Sequence, residues 1–155
     1  MNRANALYSL IKDIFFLLDD GDRRLLGEYD LTVSRFYILY HLGEQPGLSV
    51  SELSNAMFCD KSNVTRLLKS MEVEGLVNRR PHPTDGRALS LHLTPAGDAK
   101  RSNVWEAHVR HNRRRFDACL EDLEQQNLFD CLRQLKNTLQ ADLSAPEPGL
   151  PPEKS

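Results

Sequence analysis

The sequence predicts a mainly α-helical protein with one small β-hairpin. Three observations predict it. Between Ser49 and Met71, two short helices are joined by a tight turn. Between Leu76 and Leu93, two extended segments flank a run of turn-forming residues. On both sides of this block, apolar residues recur at helical spacing over long stretches.

The first helix is expected from about Ala4 to Leu26. Leu7, Leu10, Ile11, Ile14, Phe15 and Leu18 give its stripe, and Leu25 and Leu26 continue it past a loose Asp19-Asp20-Gly21-Asp22 patch. Leu31-Thr32 opens a second helix with the stripe Val33, Phe36, Tyr37 and Tyr40. It is expected to end before Gly43, with Pro46-Gly47 as a break. In Ser49-Val50-Ser51-Glu52-Leu53, Ser precedes Glu by three residues. That is a capping box, so a third helix starts here and ends near Phe58 and Cys59. Asp60 then suits the N-cap of a fourth helix. Val64, Leu67, Leu68 and Met71 give it one buried stripe. At 100° per residue the opposite face centres on Ser62, Arg66 and Lys69, flanked by Asn63 and Thr65. Gly75 suits the C-terminal cap. A second helix with a polar, basic outer face is what a helix-turn-helix needs to enter a major groove.

Leu76 to Arg80 reads as a strand. Pro81-His82-Pro83-Thr84-Asp85-Gly86 is dense in turn formers, and Ala88 to Leu93 alternates apolar and polar like a half-buried strand. This hairpin carries Arg79, Arg80 and Arg87 beside the helix-turn-helix, as a wing does. Thr94-Pro95 then sets an N-cap with Pro at the first helical position. The long helix it opens reaches Arg115 or beyond. Trp105, Val109, Asn112, Phe116, Cys119 and Leu123 alternate steps of four and three, a coiled-coil-like seam. A last helix shows Leu128, Leu132, Leu135 and Leu139. Ala145 to Ser155 holds four prolines and is expected to be a disordered tail. The terminal helices carry more apolar surface than one small winged domain buries, so an intermolecular interface is expected.

A chain of 155 residues is one domain, with or without extensions, and long enough for a real core. The net charge of −2 does not announce a nucleic-acid binder. Its distribution is more informative: residues 100–115 carry net +5, 117–130 net −5, and 60–87 net +2. The acidic block reads as a solvated helix face. Cys59, Cys119 and Cys131 show no metal-ligand spacing. The N-terminus lacks a signal-peptide profile, and no apolar run approaches membrane-spanning length. A cytoplasmic location without a membrane partner is the expectation.

Leu31 to Lys100 closely resembles the MarR family of winged helix-turn-helix transcription regulators. The resemblance rests on Ser51-Glu52-Leu53, Ser62-Asn63-Val64-Thr65-Arg66, Glu74-Gly75-Leu76-Val77, Asp85-Gly86-Arg87 and Leu93-Thr94-Pro95-Ala96-Gly97. Each piece alone is weak; together they are specific. The resemblance implies a homodimer in which N- and C-terminal helices of both subunits interleave. Residues 1–30 and 100–143 would then form the helical dimerisation region, 31–99 the winged DNA-binding domain and 144–155 the tail. It implies a ligand-responsive repressor on a pseudo-palindromic operator in double-stranded DNA, with no cofactor.

On the recognition helix, Lys61, Ser62, Asn63, Thr65, Arg66 and Lys69 are candidate DNA contacts, joined by Ser51 before it. Arg and Asn read guanine and adenine edges, while Lys and Ser more often hold phosphate. A plain solvated face is the bland alternative; the capping box, the wing and the family pattern weigh against it. Arg79 and Arg80 are candidates on the wing. By resemblance Arg87 enters the minor groove and Asp85 shapes the tip, although Asp85-Gly86 also suits a simple turn.

Tyr8, Tyr37, His41, Trp105 and His108 are candidates for a small aromatic effector's crevice, as the resemblance implies. Aromatics at helical spacing are more often core. His108 and His111 lie three apart on one helix, which can present two imidazoles to a metal; an interface or solvated face explains them equally, and no metal is assigned. Cys59 precedes a helix N-terminus, which favours a thiolate, yet a small buried turn residue fits as well. Peroxide-sensing relatives carry their cysteine near the N-terminal end, and this chain has none there. No Gly-rich phosphate loop, nucleophile elbow or carboxylate–histidine set points to an enzyme. The alternative functions are a winged-helix protein-interaction module, or a metal- or redox-sensing regulator. An interaction module would place apolar residues where Ser62, Arg66 and Lys69 stand.

Overall fold

The computed structural model describes residues 2–81, 89–120 and 125–144. Over these residues the order is α1 (Arg3–Gly27), α2 (Val33–Glu44), α3 (Val50–Ala56), α4 (Lys61–Val73), β1 (Val77–Pro81), β2 (Leu89–Leu93), α5 (Pro95–Leu120) and α6 (Gln125–Ser144). The chain divides into two compact units, Met1–His111 and Asn112–Ser155. The mainly helical fold with one antiparallel hairpin is the one expected from the sequence.

In the first unit, Asn2 caps α1 by accepting from the Ala4 amide. The helix runs unbroken through the acidic patch. Asp19 lies 3.0 Å from Arg23 and Asp20 2.8 Å from Arg24, each one turn on, so the patch supports the helix instead of loosening it. Thr32 caps α2, which continues through Gly43 to Glu44. The expected stop fails because Gly43 serves packing: a Cβ there would sit 2.4 Å from the Arg101 side chain of α5. The buried face of α2 is Phe36, Ile38, Leu39 and Leu42, with Tyr37 and Tyr40 only partly covered. This helix packs against α1, α3 and β2 at once, so a single stripe does not describe it.

The capping box at Ser49 is complete: the Ser49 amide donates to Glu52 Oε2 at 2.8 Å, and the Glu52 amide to Ser49 Oγ at 3.2 Å. In the following turn Phe58 holds φ +51° with 67% of its surface exposed. A side chain in this left-handed region costs about 1 kcal/mol or more. Phe58→Gly should therefore be more stable than Phe58→Ala by about 1 kcal/mol, the reverse of the order at an exposed helical site. Urea denaturation of the two variants measures it, and Ala above Gly would contradict the reading.

Helix α4 buries Val64, Leu68 and Met71 and half-buries Leu67. Asp60 occupies its N-cap position but makes no side-chain cap bond. At the other end Gly75 takes φ +70°, its amide bonds the Glu72 carbonyl at 3.0 Å, and the Leu76 amide bonds Met71 at 2.9 Å. This pair of bonds is a Schellman motif, and it holds Leu76 out of the strand. β1 and β2 pair from Val77↔Leu93 to Pro81↔Leu89. The hairpin tip, with Asp85 and Arg87, lies outside the described residues. Simple alternation fails on β2: Leu89 is half-exposed and Ser90 is buried. The Ser90 hydroxyl donates to the Arg80 carbonyl at 3.2 Å, which satisfies it. Gly47 and Leu48 bond the outer edge of β2 through Leu91, closing that edge.

Thr94 joins hairpin to α5. Its amide bonds the Leu76 carbonyl at 3.0 Å, its hydroxyl donates to the Gly75 carbonyl at 2.6 Å, and its oxygen accepts from the Gly97 amide at 3.0 Å. One core gathers Leu26, Phe36, Leu39, Leu53, Leu68, Leu91 and Val104. On the long helix Trp105, Val109 and Phe116 are each somewhat over a third exposed; the Cys119 side chain and Leu123 lie outside the described residues. In the second unit, α6 half-buries Leu128 and Leu135 and exposes Leu132 and Leu139. Ser144 ends that helix, and the remainder of the expected tail lies outside the described residues.

Candidate nucleic-acid interface

The outer face of α4 is polar and basic along its length. Lys61, Ser62, Arg66 and Lys69 are exposed, and Asn63 and Thr65 are half-exposed. Arg66 Nη2 donates to Asn63 Oδ1 at 2.9 Å, which fixes the guanidinium one turn from the helix start. An Arg held in this way loses less rotamer entropy when it meets a base edge. The Thr65 hydroxyl donates to the Lys61 carbonyl at 2.7 Å, so its oxygen can only accept from a ligand. Ser51 is exposed in the first turn of α3, close in sequence to this face.

Two ion pairs hold α4 in place. Arg35 of α2 pairs with Glu74 at the C-cap of α4. Arg79 Nε of β1 lies 2.6 Å from Glu72 Oε1, with both side chains about three-quarters buried. Charge-assisted bonds in such partial shelter are stronger than surface pairs. Arg79 is a DNA-contact candidate from the sequence; in the fold its Nε pairs with Glu72, the strand register setting it across from Leu91 on the same face of the hairpin. Arg80, one residue on, is exposed on the other face of the strand. It stands near His92, whose pKa is lowered by burial and then by the Arg80 charge.

The aromatic candidates gather in part. Tyr40 stacks on Trp105 at 5.0 Å between centroids, Trp105 lies 6.0 Å from His108, and Tyr37 6.4 Å from His41. Phe36 lies 4.8 Å from the His108 ring. His108 is buried, with Nε2 3.5 Å from Asp22 Oδ1, so this pair joins α1 to α5. Burial, then Asp22, raises the Tyr37 pKa, and burial lowers that of His41. Tyr8 is 65% exposed and makes no ring contact among the described residues. Cys59 is half-buried against the core. No group of three His, Cys, Asp or Glu side chains gathers as a metal site among the described residues.

Sequence reading gave no role to Arg35 or Glu72, and it did not foresee the pairings of Glu74 and Asp22. Arg35 and Glu74 are 39 positions apart, and no local pattern connects them. Glu72 and Arg79 lie seven apart across a turn, so only the folded hairpin brings them together.

A model of the MarR family matches residues 29–88. A putative transcriptional regulatory protein for the hcr operon of Thauera aromatica is 33% identical over 105 residues, covering 68% of this chain and 63% of that one. The HTH-type transcriptional repressor IacR of Pseudomonas putida is 36% identical over 74 residues, covering 48% of this chain and 44% of that one. The chain thus spans less than two thirds of these relatives' length. Among solved structures, the transcriptional regulator BldR from Sulfolobus solfataricus aligns with TM-score 0.70 at 26% identity, covering 89% of this chain and 99% of that one. AbsC, a MarR family regulator from Streptomyces coelicolor, shares the fold with TM-score 0.80 at 24% identity, covering 94% and 98%. Family model, relatives and fold agree with the exposed basic helix and its hairpin, and the chain belongs to the MarR family of winged helix-turn-helix proteins.

Proposed function

We propose that this protein is a sequence-specific DNA-binding transcriptional regulator, a ligand-responsive repressor that occupies a pseudo-palindromic operator as a homodimer. The observation that carries this reading is the outer face of α4: exposed Lys61, Ser62, Arg66 and Lys69, with Arg66 already oriented by Asn63. The names of the T. aromatica and P. putida relatives support it. A protein-interaction module would bury an apolar face there, and this face is polar. The protein works in the cytoplasm; no described helix is long and apolar enough to cross a membrane.

Dimerisation through residues 1–30 and 100–143 is supported by exposed apolar side chains. On α1, Leu7, Leu10, Ile14 and Phe16 are 45–58% exposed, and on α6 Leu132 and Leu139 just over half. Exposed large apolar side chains on helices at both ends of the chain are what an interface would cover. Selection from a random duplex pool by the full chain tests the function. The expected result is an enriched inverted repeat, bound about a thousandfold or more above bulk DNA. Absence of enrichment, or a monomer by sedimentation at micromolar concentration, would contradict it.

The wing tip carries a separate expectation. Arg87 follows Asp85-Gly86, and a guanidinium favours the narrow, electronegative minor groove of A·T-rich DNA. Arg87→Ala should weaken operator binding strongly while leaving thermal stability and dimerisation nearly unchanged. Exchanging flanking A·T for G·C pairs should harm the wild type more than the variant in a titration. Equal losses for both proteins would remove the wing from the DNA contact.

A further inference from the structure

We propose that Arg79 is a positioning residue for DNA recognition: paired with Glu72, it fixes the wing at one angle to the recognition helix. This role deepens the DNA-binding reading and rests on it.

Helix α4 carries Glu72 in its last turn and Glu74 at its C-cap, with no basic residue in that turn. The C-terminal end of a helix is its negative pole, so carboxylates there are locally unfavourable. Each is matched by a guanidinium from another element, Glu74 by Arg35 of α2 and Glu72 by Arg79 of β1. A local preference broken and then compensated from elsewhere marks positions kept for something other than helix stability.

Arg79 also occupies a particular rung of the hairpin, across from Leu91. The Leu91 amide bonds the Leu48 carbonyl at 2.9 Å, and its carbonyl accepts from the Gly47 amide at 2.8 Å. One edge of this rung is thus tied by backbone to the α2–α3 connection, and the other is tied to α4 by the Arg79–Glu72 pair. Nearer the helix, Leu76 is held by bonds to Met71 and Thr94. A hairpin held next to α4 at Leu76 alone has a pivot there, and a second tie at Arg79 removes rotation about it. Arg79 Nε lies 2.6 Å from Glu72 Oε1 with about a quarter of each side chain exposed, so the tie is charge-assisted and partly sheltered. Beyond this rung the chain runs through Arg80 to Arg87, so the pose of those cations relative to Arg66 depends on it.

The pair makes a prediction of opposite sign to plain electrostatics. Replacing Glu72 by a neutral residue removes an acid from the helix that meets DNA and frees Arg79 for a phosphate. Charge alone then predicts tighter binding to every duplex. Positioning predicts weaker binding, because a wing without a fixed angle must be ordered when the duplex is bound.

Glu72→Gln and the swap Glu72→Arg with Arg79→Glu, both in the full chain, test this. On the duplex selected by the wild type, Glu72→Gln should bind about fivefold or more weakly at constant salt, although it is the more positive protein. The swap keeps the net charge and should recover part of that loss. Without DNA, amides of β1 and β2 should exchange with solvent about fivefold faster in Glu72→Gln, while those of α2 change little. A merely structural role would lower Tm and leave the affinity of the folded protein, measured well below Tm, unchanged; that outcome would overturn the proposal. Tighter binding by Glu72→Gln, or a swap weaker than Glu72→Gln, would overturn it as well and make Arg79 a phosphate contact. Faster exchange in the hairpin with no duplex bound by the wild type would instead defeat the regulator reading.

Discussion

Gly97→Ala should destabilise the protein by about 3 kcal/mol, at the upper end of what overpacking costs. Helix propensity alone predicts the opposite sign, because Ala exceeds Gly by about 1 kcal/mol inside a helix. The structure decides the matter. A Cβ on Gly97 would stand 2.0 Å from the Leu76 carbonyl oxygen and 2.9 Å from its carbon. Both neighbours are backbone, so no rotamer change relieves the overlap. That same carbonyl accepts the Thr94 amide at 3.0 Å, and Leu76 is held behind by the Schellman bonds after α4. Moving the first turn of α5 breaks the Thr94 junction; moving Leu76 pulls on the recognition helix. For a chain of this size the loss corresponds to a fall in Tm of about 10 °C. Calorimetry of the variant measures it, and an unchanged or raised Tm would contradict the packing described at this junction.

Arg66→Ala should cost about 1–3 kcal/mol of operator binding and relax the sequence preference at one position of each half-site. Its guanidinium is held by Asn63, exposed at the centre of the outer face of α4. Bidentate pairing with a guanine edge uses that geometry with little further ordering. Lys69 lies on the same face, also exposed, and is a point charge on a flexible stem. Lys69→Ala should weaken all duplexes alike and reduce the salt slope by about one. Titrations against the operator and a scrambled duplex separate the two. Equal, negligible effects of both variants would place the contact elsewhere.

Much of this architecture was legible because its signals are local. The capping box at Ser49 and Glu52, the stripe Val64, Leu68 and Met71, and the glycine stop at Gly75 are each set within a few residues. The outer face of α4 follows from the stripe by helical geometry alone. What stayed hidden depends on the tertiary fold. Gly43 reads as a stop until Arg101 is seen crossing it. Ser90 reads as solvent-facing until Leu48 closes the strand edge and Arg80 accepts its proton. Arg79 reads as a free cation until the hairpin brings it to Glu72. The charges named for DNA thus differ in setting: those on α4 are free of structural ion pairs among the described residues, and Arg79 is paired with Glu72.

We propose that two copies of the winged domain read one duplex. Hydroxyl-radical footprinting of the full chain on its selected operator tests it most directly. Two protected half-sites, about 10 base pairs apart centre to centre and on one face of the duplex, are the expected pattern. A single protected segment, or uniform protection without sequence preference, would contradict the account.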